Sequence, residues 1–270
     1  MNRRPVVAGP NSFYPDNPEE LRRMLKEFMP PSDEKRVEAI GVISPHAGYV
    51  FSGRVAGAVL SRVHITDTVI ILCPAHRQAT AAFGVWPQGA WLMPLGSVPI
   101  DEALCGRLLK EVGDLREDYI GHTYEHSGEV QVPFLQYLNP NLKIVPIVIA
   151  TENLSLLKRF GADLGKALQT VTPRPLIVAS NDMTHQEPDE VARRKDKLAI
   201  DEILSLDPDG LFTKKVSTPI TMCGMAPIIA MLVCAAQLGA SKAELVMYDT
   251  SARAFGDTHR VVGYAGIIVR

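Results

Sequence analysis

Two histidines each follow an apolar run of the sequence and are separated from it by a short turn that contains proline. His46 comes after a run that ends at Ile43, and His76 comes after the run 68–72. Short apolar runs of this kind are typical of buried strands. Ligands in open α/β sheets bind beyond the carboxyl ends of strands, so both histidines are expected at a site. An imidazole there can bind a metal or exchange a proton near neutral pH.

Three further polar segments hold side chains that could bind a metal or move a proton. One follows the apolar run 176–179, one is a polar loop that opens a helix, and one lies just before an apolar helix. Their candidate residues are Asp182 and His185, then Glu125, His126 and Glu129, and finally Cys223. The rule for strand ends predicts that His46, His76 and His185 converge on one edge of a sheet.

Each of these residues taken singly also has a structural interpretation. A single histidine after a strand is more often a hydrogen-bonded loop residue than a ligand, so the repetition favours a site. Glu129 suits the start of a helix, where negative charge is favoured. Tyr49 either hydrogen-bonds a ligand or packs, and Asp182 either orients His185 or forms a turn. His122 is expected to face solvent or to cap a helix.

Apolar runs alternate with helical patterns along the chain. Strands are predicted at 37–43, 68–72, 142–150, 176–179, 245–248 and 261–269. Helices are predicted at 18–29, 53–62, 101–112, 154–170, 187–204 and 228–238. This alternation predicts a single α/β domain over residues 1–270, with a mostly parallel central sheet and helices on both faces. Two short strands, 83–86 and 91–95, are expected to form a hairpin, and Asn17 is expected to cap the first helix.

Composition limits the classes of function that the chain can have. Of 270 residues, 46% are hydrophobic and 21% are charged, and the net charge is −2, as in an ordinary globular protein. Without a basic stripe or a long apolar segment, we expect neither nucleic acid nor a membrane as a partner. The four cysteines are scattered and the first residues show no apolar core of a signal peptide, so we expect a reduced, cytoplasmic setting.

Seven short motifs resemble, in the same order, those of the Memo family. They are Phe13-Tyr-Pro, Ser44-Pro-His-Ala-Gly-Tyr, Cys73-Pro-Ala-His, Glu125-His-Ser-Gly-Glu-Val-Gln-Val-Pro-Phe, Ser180-Asn-Asp-Met-Thr-His, Thr221-Met-Cys-Gly-Met-Ala-Pro and Val261-Val-Gly-Tyr-Ala-Gly. The resemblance covers residues 8–269. The Memo family includes the eukaryotic mediator of cell motility and the prokaryotic AmmeMemoRadiSam system protein B. Arg77 and Gln131 stand where the eukaryotic branch has histidines, so this chain is more similar to the prokaryotic branch.

The resemblance implies a fold similar to that of class III extradiol dioxygenases, which use non-haem iron(II), and metal ligands at His46, His76 and Cys223. Two imidazoles and a thiolate suit iron, copper or zinc rather than magnesium or calcium. Three protein ligands leave coordination positions open, as in catalytic sites. The common iron triad has a carboxylate in place of the thiolate, so zinc and copper are also compatible, and Asp182 or Glu129 is an alternative third ligand.

We therefore expect an iron(II)-dependent oxidoreductase, similar to extradiol dioxygenases, that acts on a small aromatic or phenolic compound. His185 and His126 are the expected acid and base groups, aided by Asp182, and Tyr49 and Glu129 are expected to contact the substrate. A non-catalytic protein that binds a metal or a partner and a metal-dependent hydrolase are the alternatives. The expected partners are a small-molecule substrate and the proteins of the AmmeMemoRadiSam system.

Overall fold

Strands and helices alternate along most of the chain in the computed structural model, which describes residues 2–10, 12–29 and 35–270. The strands are β1 (Arg3–Arg4), β2 (Gly41–Ser44), β3 (Thr68–Pro74), β4 (Phe83–Val85), β5 (Ala90–Trp91), β6 (Val98–Pro99), β7 (Leu115–Glu117), β8 (Lys143–Ile149), β9 (Leu176–Ser180), β10 (His185–Glu187), β11 (Ala243–Thr250) and β12 (Val261–Val269). The helices are α1 (Pro18–Phe28), α2 (Tyr49–Leu60), α3 (Glu102–Glu111), α4 (Tyr119–Thr123), α5 (Val132–Leu138), α6 (Leu154–Leu168), α7 (Asp189–Leu204), α8 (Pro208–Ser217), α9 (Met225–Gln237) and α10 (Ala252–Phe255). One turn of 3₁₀ helix, Glu129–Gln131, directly precedes α5.

Four parallel strands form the centre of the main sheet. Within the described ranges this sheet has nine strands in the order β10-β12-β2-β9-β3-β8-β4-β7, and β11 pairs with β12. The pairs β2–β9, β9–β3 and β3–β8 are parallel, whereas β12 joins β2 and β4 joins β8 in antiparallel fashion. The predicted α/β class is therefore confirmed, with a parallel centre and antiparallel margins.

The register of the parallel strands brings their carboxyl ends to one edge of the sheet. Ser44 at the end of β2 lies beside Ser180 at the end of β9, and Pro74 at the end of β3 lies beside Ile149 at the end of β8. The loops that leave these ends start side by side. The chain thereby places its polar post-strand segments within reach of one another.

Helices cover both faces of the sheet. A β-carbon added at Gly41 of β2 would meet Met231 of α9, and one added at Gly266 of β12 would meet Val59 of α2. Because these two glycines lie on opposite faces of the sheet in this register, α9 and α2 pack against opposite sides. Strands buried on both faces read as continuous apolar runs, which is why these strands were predictable.

Two local predictions have different outcomes. Asn17 caps α1 as expected, since its Oδ1 accepts hydrogen bonds from the backbone N–H groups of Glu19 and Glu20. The predicted hairpin is wrong: β4 pairs with β8 and β7, while β5 pairs with β1 and β6 in a separate three-stranded sheet. Burial of Phe83 between these strands, stacked on Phe160 at 4.2 Å, outweighs the local turn preference.

One hydrophobic core extends from Ala8 near the first strand to Val269 at the end of the last strand. It joins the elements of both halves of the described chain, as expected for one domain. Among the described residues, the helices are too short or too polar to cross a lipid bilayer.

Candidate metal centre

Three potential metal ligands meet at the carboxyl edge of the parallel strands. Donor atoms of His46, His76 and Cys223 all lie within 4.8 Å of one another, and the Cys223 Sγ is 3.2 Å from the His46 Nε2. His46 follows β2, His76 follows β3, and Cys223 lies just before α9. The structure thus brings together the three residues that the resemblance implied as ligands.

The loop that carries Cys223 is fixed to the end of β9 by its backbone. The N–H of Cys223 donates to the carbonyl of Asp182 at 3.2 Å, and the N–H of Gly224 donates to the Asn181 Oδ1 at 2.8 Å. A β-carbon at position 224 would lie 2.3 Å from the carbonyl oxygen of Ser180. Only glycine allows this close approach, so Gly224 determines where Cys223 sits.

Hydrogen bonds orient His46 so that its Nε2 faces the cluster. Its Nδ1 is 2.8 Å from the Ser180 Oγ, which donates its own proton to the carbonyl of Ser127 at 2.8 Å. Ser180 therefore accepts from the Nδ1–H of His46, and the Nε2 keeps a free lone pair. Metal-binding histidines commonly use their second nitrogen in this way.

Glu125 does the same for His76. Its Oε2 accepts the backbone N–H of His76 at 2.6 Å, and its Oε1 lies 2.9 Å from the His76 Nδ1. The N–H and the hydroxyl of Ser127 also donate to the Oε1. The Glu125 carboxylate therefore accepts hydrogen bonds that orient His76. One of its oxygens also lies within 4.8 Å of ring nitrogens of His76 and His126.

The electrostatics keep His46 and His126 neutral and Glu125 ionised at neutral pH. Burial, together with the neighbouring His76, lowers the pKa of His46 to about 3. Burial, together with His46, lowers the pKa of His126 to about 4. Burial raises the pKa of Glu125, but the hydrogen bonds from His76 and Ser127 outweigh it and hold the pKa at about 2. Neutral imidazole is the form that binds metals.

Burial raises the pKa of two further acidic groups at the site, the thiol of Cys223 and the carboxyl of Asp182. It raises the pKa of the Cys223 thiol, with a contribution from the charge of Asp182. It also raises the pKa of Asp182, against a hydrogen bond from the backbone N–H of His46 to its Oδ1 at 2.8 Å. The Asp182 Oδ2 lies 4.0 Å from the His46 Nε2. In the metal-free protein the Cys223 thiol therefore keeps its proton at neutral pH.

A cavity of about 440 Å³ opens onto His46 and His76. His126 and His185, the predicted acid and base groups, line it together with Asp182. The ring of His126 packs 4.7 Å from that of His76. His185 has its Nδ1 3.0 Å from the carbonyl of Thr221, so in the neutral ring the Nδ1 carries the proton and the Nε2 has the free lone pair.

Tyr49 and Glu129, from which we predicted contact with the substrate, do not line this cavity and instead make hydrogen bonds in the interior. The hydroxyl of buried Tyr49 donates to the carbonyl of Val130 at 2.7 Å. Buried Glu129 forms an ion pair with Arg4 and accepts the backbone N–H of Ala8 at 2.7 Å. These polar atoms already have partners, and burial without such partners would be costly.

His122 is buried, contrary to its expected place in solvent or at a helix cap. Only 1% of its surface is exposed, and its Nε2 lies 2.9 Å from the carbonyl of Gly84. Sequence reasoning also missed the roles of Ser180 and Glu125 as partners of the ligand histidines. The available signal was general: a ligand histidine needs an acceptor for its second nitrogen, and a polar residue at a neighbouring strand end can supply one.

The fold and the site define a class: an α/β protein with two histidines and a cysteine gathered at the carboxyl edge of its parallel strands. Comparison with known proteins gives the family. The family model described as Memo-like protein matches residues 3–268. The chain is 37% identical to the MEMO1 family protein MK0963 of Methanopyrus kandleri, over 100% of this chain and 99% of that protein. It is 40% identical to a MEMO1 family protein of Archaeoglobus fulgidus, over 99% of each.

The chain belongs to the Memo family. The fold is also similar to that in the crystal structure of the uncharacterized protein JW3007 from Escherichia coli K12, with a TM-score of 0.54 and 14% sequence identity. That similarity covers 84% of this chain and 98% of the other chain. At 14% identity, this comparison shows a similarity of the fold alone.

Proposed function

We propose that His46, His76 and Cys223 bind a transition metal. The observation that carries this proposal is the meeting of the three donor atoms within 4.8 Å. The donor set fits such an ion, because His46 is neutral and because Ser180 and Glu125 orient the two imidazoles. Two nitrogens and a sulfur favour iron, copper or zinc. We take iron(II) as the first candidate, with zinc or copper as alternatives.

We further propose that the protein is an oxidoreductase similar to extradiol dioxygenases, acting on a small aromatic or phenolic compound. When bound, iron or copper would supply Lewis acidity and one-electron redox chemistry. The open cavity beside the ligands supports this reaction class, since a phenol has room next to His46 and His76. The proposed partners are this substrate and proteins of the AmmeMemoRadiSam system, and the proposed location is the cytoplasm.

The chain's own residues would move the protons that ring opening requires. The free Nε2 of His185 can take a phenolic proton, because Thr221 holds the other nitrogen in its protonated form. Asp182 and His126 line the same cavity and can hold a proton near the buried end. A positioned acid or base of this kind contributes roughly 10²- to 10⁴-fold in rate.

Metal content and oxygen uptake test the proposal in separate steps. Anaerobically purified protein is assayed for metal by mass spectrometry, alongside His46→Ala and a control, His64→Ala, whose side chain is half exposed at another part of the surface. We expect stoichiometric metal in the parent and the control and loss of metal in His46→Ala. Full metal content in His46→Ala would contradict the ligand assignment.

Oxygen consumption with a panel of catechols then tests the reaction. We expect uptake and a ring-opened chromophore with iron(II), and a loss of about 10²- to 10⁴-fold in His185→Ala without loss of metal. Metal binding without oxygen uptake on any phenol contradicts the dioxygenase proposal and favours the binding protein. Metal-dependent ester hydrolysis without oxygen favours the hydrolase.

A further inference from the structure

Alternate residues at the start of β12 form one wall of the cavity. Val262 and Tyr264 of β12 line it with the two-residue period of a strand, and Arg260, which directly precedes the strand, lines it as well. His185 of β10 pairs directly with Val262 and lines the same cavity. The proposed base therefore lies beside Val262 in the sheet, two residues along the chain from Arg260.

This wall runs from the interior to the mouth of the cavity. Tyr264 is buried, Val262 is half-buried and Arg260 is exposed. Buried His46 and Asp182 lie at the interior end of the same cavity. The reacting end of a bound molecule would thus lie deep, and Arg260 would meet its outer end.

Arg260 carries a positive charge that no carboxylate of the described residues pairs with. Among the described residues, the ion pairs and side-chain hydrogen bonds do not include Arg260, whereas Arg193 and Arg253 each lie beside a carboxylate. The other charged lining residue, Asp182, is buried and lies at the interior end of the cavity, so Arg260 is the charged group at the mouth. The mouth is therefore the electropositive end.

Two aromatic side chains also line the cavity. Phe13 and Phe51 line it, and the ring of Phe13 packs 4.5 Å from that of His126. Flat apolar surfaces suit an aromatic ring, whereas the planar guanidinium fork suits a carboxylate. The lining of the cavity combines the two features.

We infer that Arg260 is a specificity-determining residue that binds the carboxylate of an aromatic carboxylic acid at the mouth of this cavity. The inference rests on the proposed function, whose substrate class it narrows from phenols in general to phenols that carry an anionic group away from the reacting hydroxyls. Arg260 acts on the choice of substrate and takes no part in proton transfer.

The test compares the binding of two probes that differ in one carboxylate, 3,4-dihydroxybenzoate and catechol. Dissociation constants are measured by titration calorimetry on the metal-loaded parent, Arg260→Gln, Arg260→Lys and Arg77→Gln. Arg77 is the matched control, because it is also an exposed arginine but lines a different cavity. That cavity has a volume of about 350 Å³ and is also lined by Cys223.

We expect the parent to bind the carboxylate about five- to tenfold more tightly than catechol, as a partly screened charge-assisted hydrogen bond allows. Arg260→Gln should abolish this preference, Arg260→Lys should keep part of it, and Arg77→Gln should keep all of it. Since Arg260 is exposed, thermal unfolding should show that these variants fold like the parent.

Equal affinity of the parent for both probes overturns the inference and leaves the phenol proposal standing. A preference that survives in Arg260→Gln, or that disappears in Arg77→Gln, also overturns it. Failure of both probes to bind contradicts this inference and the phenol proposal together, while the metal content of the same samples reports separately on the metal proposal.

Discussion

The sulfur of Cys223 lies 3.2 Å from the Nε2 of His46, although 177 residues separate the two in the chain. The His46 Nδ1–H donates to Ser180, so the Nε2 faces the sulfur as an acceptor. Burial raises the pKa of the Cys223 thiol, so without metal the S–H can donate to this nitrogen. A metal would replace that proton, because the thiolate is the form that binds metals.

Metal should therefore protect Cys223 from alkylation. We expect iodoacetamide to modify Cys223 of chelator-treated protein at least about tenfold faster than that of metal-loaded protein, as measured by peptide mass spectrometry. Cys73, Cys105 and Cys234 are buried and serve as internal controls without metal dependence. Equal modification of Cys223 with and without metal would remove it from the ligand set.

Glu125→Gln should weaken metal binding without removing a ligand. Glutamine lacks the negative charge and the second acceptor oxygen that hold the backbone and the Nδ1 of His76. We expect a loss of about 10- to 100-fold in metal affinity, the usual effect of removing a partner of a ligand histidine, measured by competition with a chelator. Glu152→Gln is the control, since Glu152 pairs with Lys215 in the neighbouring cavity and not with a ligand. The same affinity in Glu125→Gln and in the control would contradict this role.

The sequence predicted the post-strand histidines because strand ends are visible as local patterns. The apolar runs predicted β3, β8 and β12 within a few residues, and parallel strands of a sheet place their carboxyl ends together. The hairpin at 83–95 was not predictable in the same way, because its outcome depends on the packing of Phe83 against distant Phe160. The burial of Glu129 depends likewise on Arg4, 125 residues away. Local patterns do not report such long-range partners.

The ion pair of Arg4 and Glu129 offers a test of this long-range anchoring. Both side chains are fully buried, and Arg4 also donates to the carbonyls of His122 at 2.7 Å and Glu125 at 2.6 Å. Glu129→Gln would leave a buried guanidinium without its counter-charge. We expect a loss of about 3–5 kcal/mol in the free energy of unfolding, measured in urea at pH 7.

The matched control for this pair lies on the surface. Asp114 accepts two hydrogen bonds from exposed Arg159, at 2.7 and 2.9 Å. We expect Asp114→Asn to cost at most about 1 kcal/mol in the same urea experiment, because water screens the exposed pair. Losses of equal size in Asp114→Asn and Glu129→Gln would show that burial of the Arg4 pair carries no special weight.

Buried His122 should make the protein less stable in mild acid. Burial lowers its pKa from 6.5 to about 4, so between these values the unfolded chain binds a proton that the folded chain refuses. Stability therefore falls as the pH falls below about 6.5, and the contribution of this one residue between pH 7 and pH 5 is about 2 kcal/mol.

Glutamine at this position can still donate to the carbonyl of Gly84, as the Nε2 of His122 does at 2.9 Å, but it does not titrate. We expect His122→Gln to lose about 2 kcal/mol less than the parent over this range in urea unfolding, whatever its stability at pH 7. His259→Gln, on an exposed turn, should keep the pH dependence of the parent. Parallel stability curves for the parent and His122→Gln would show that His122 does not contribute to acid unfolding.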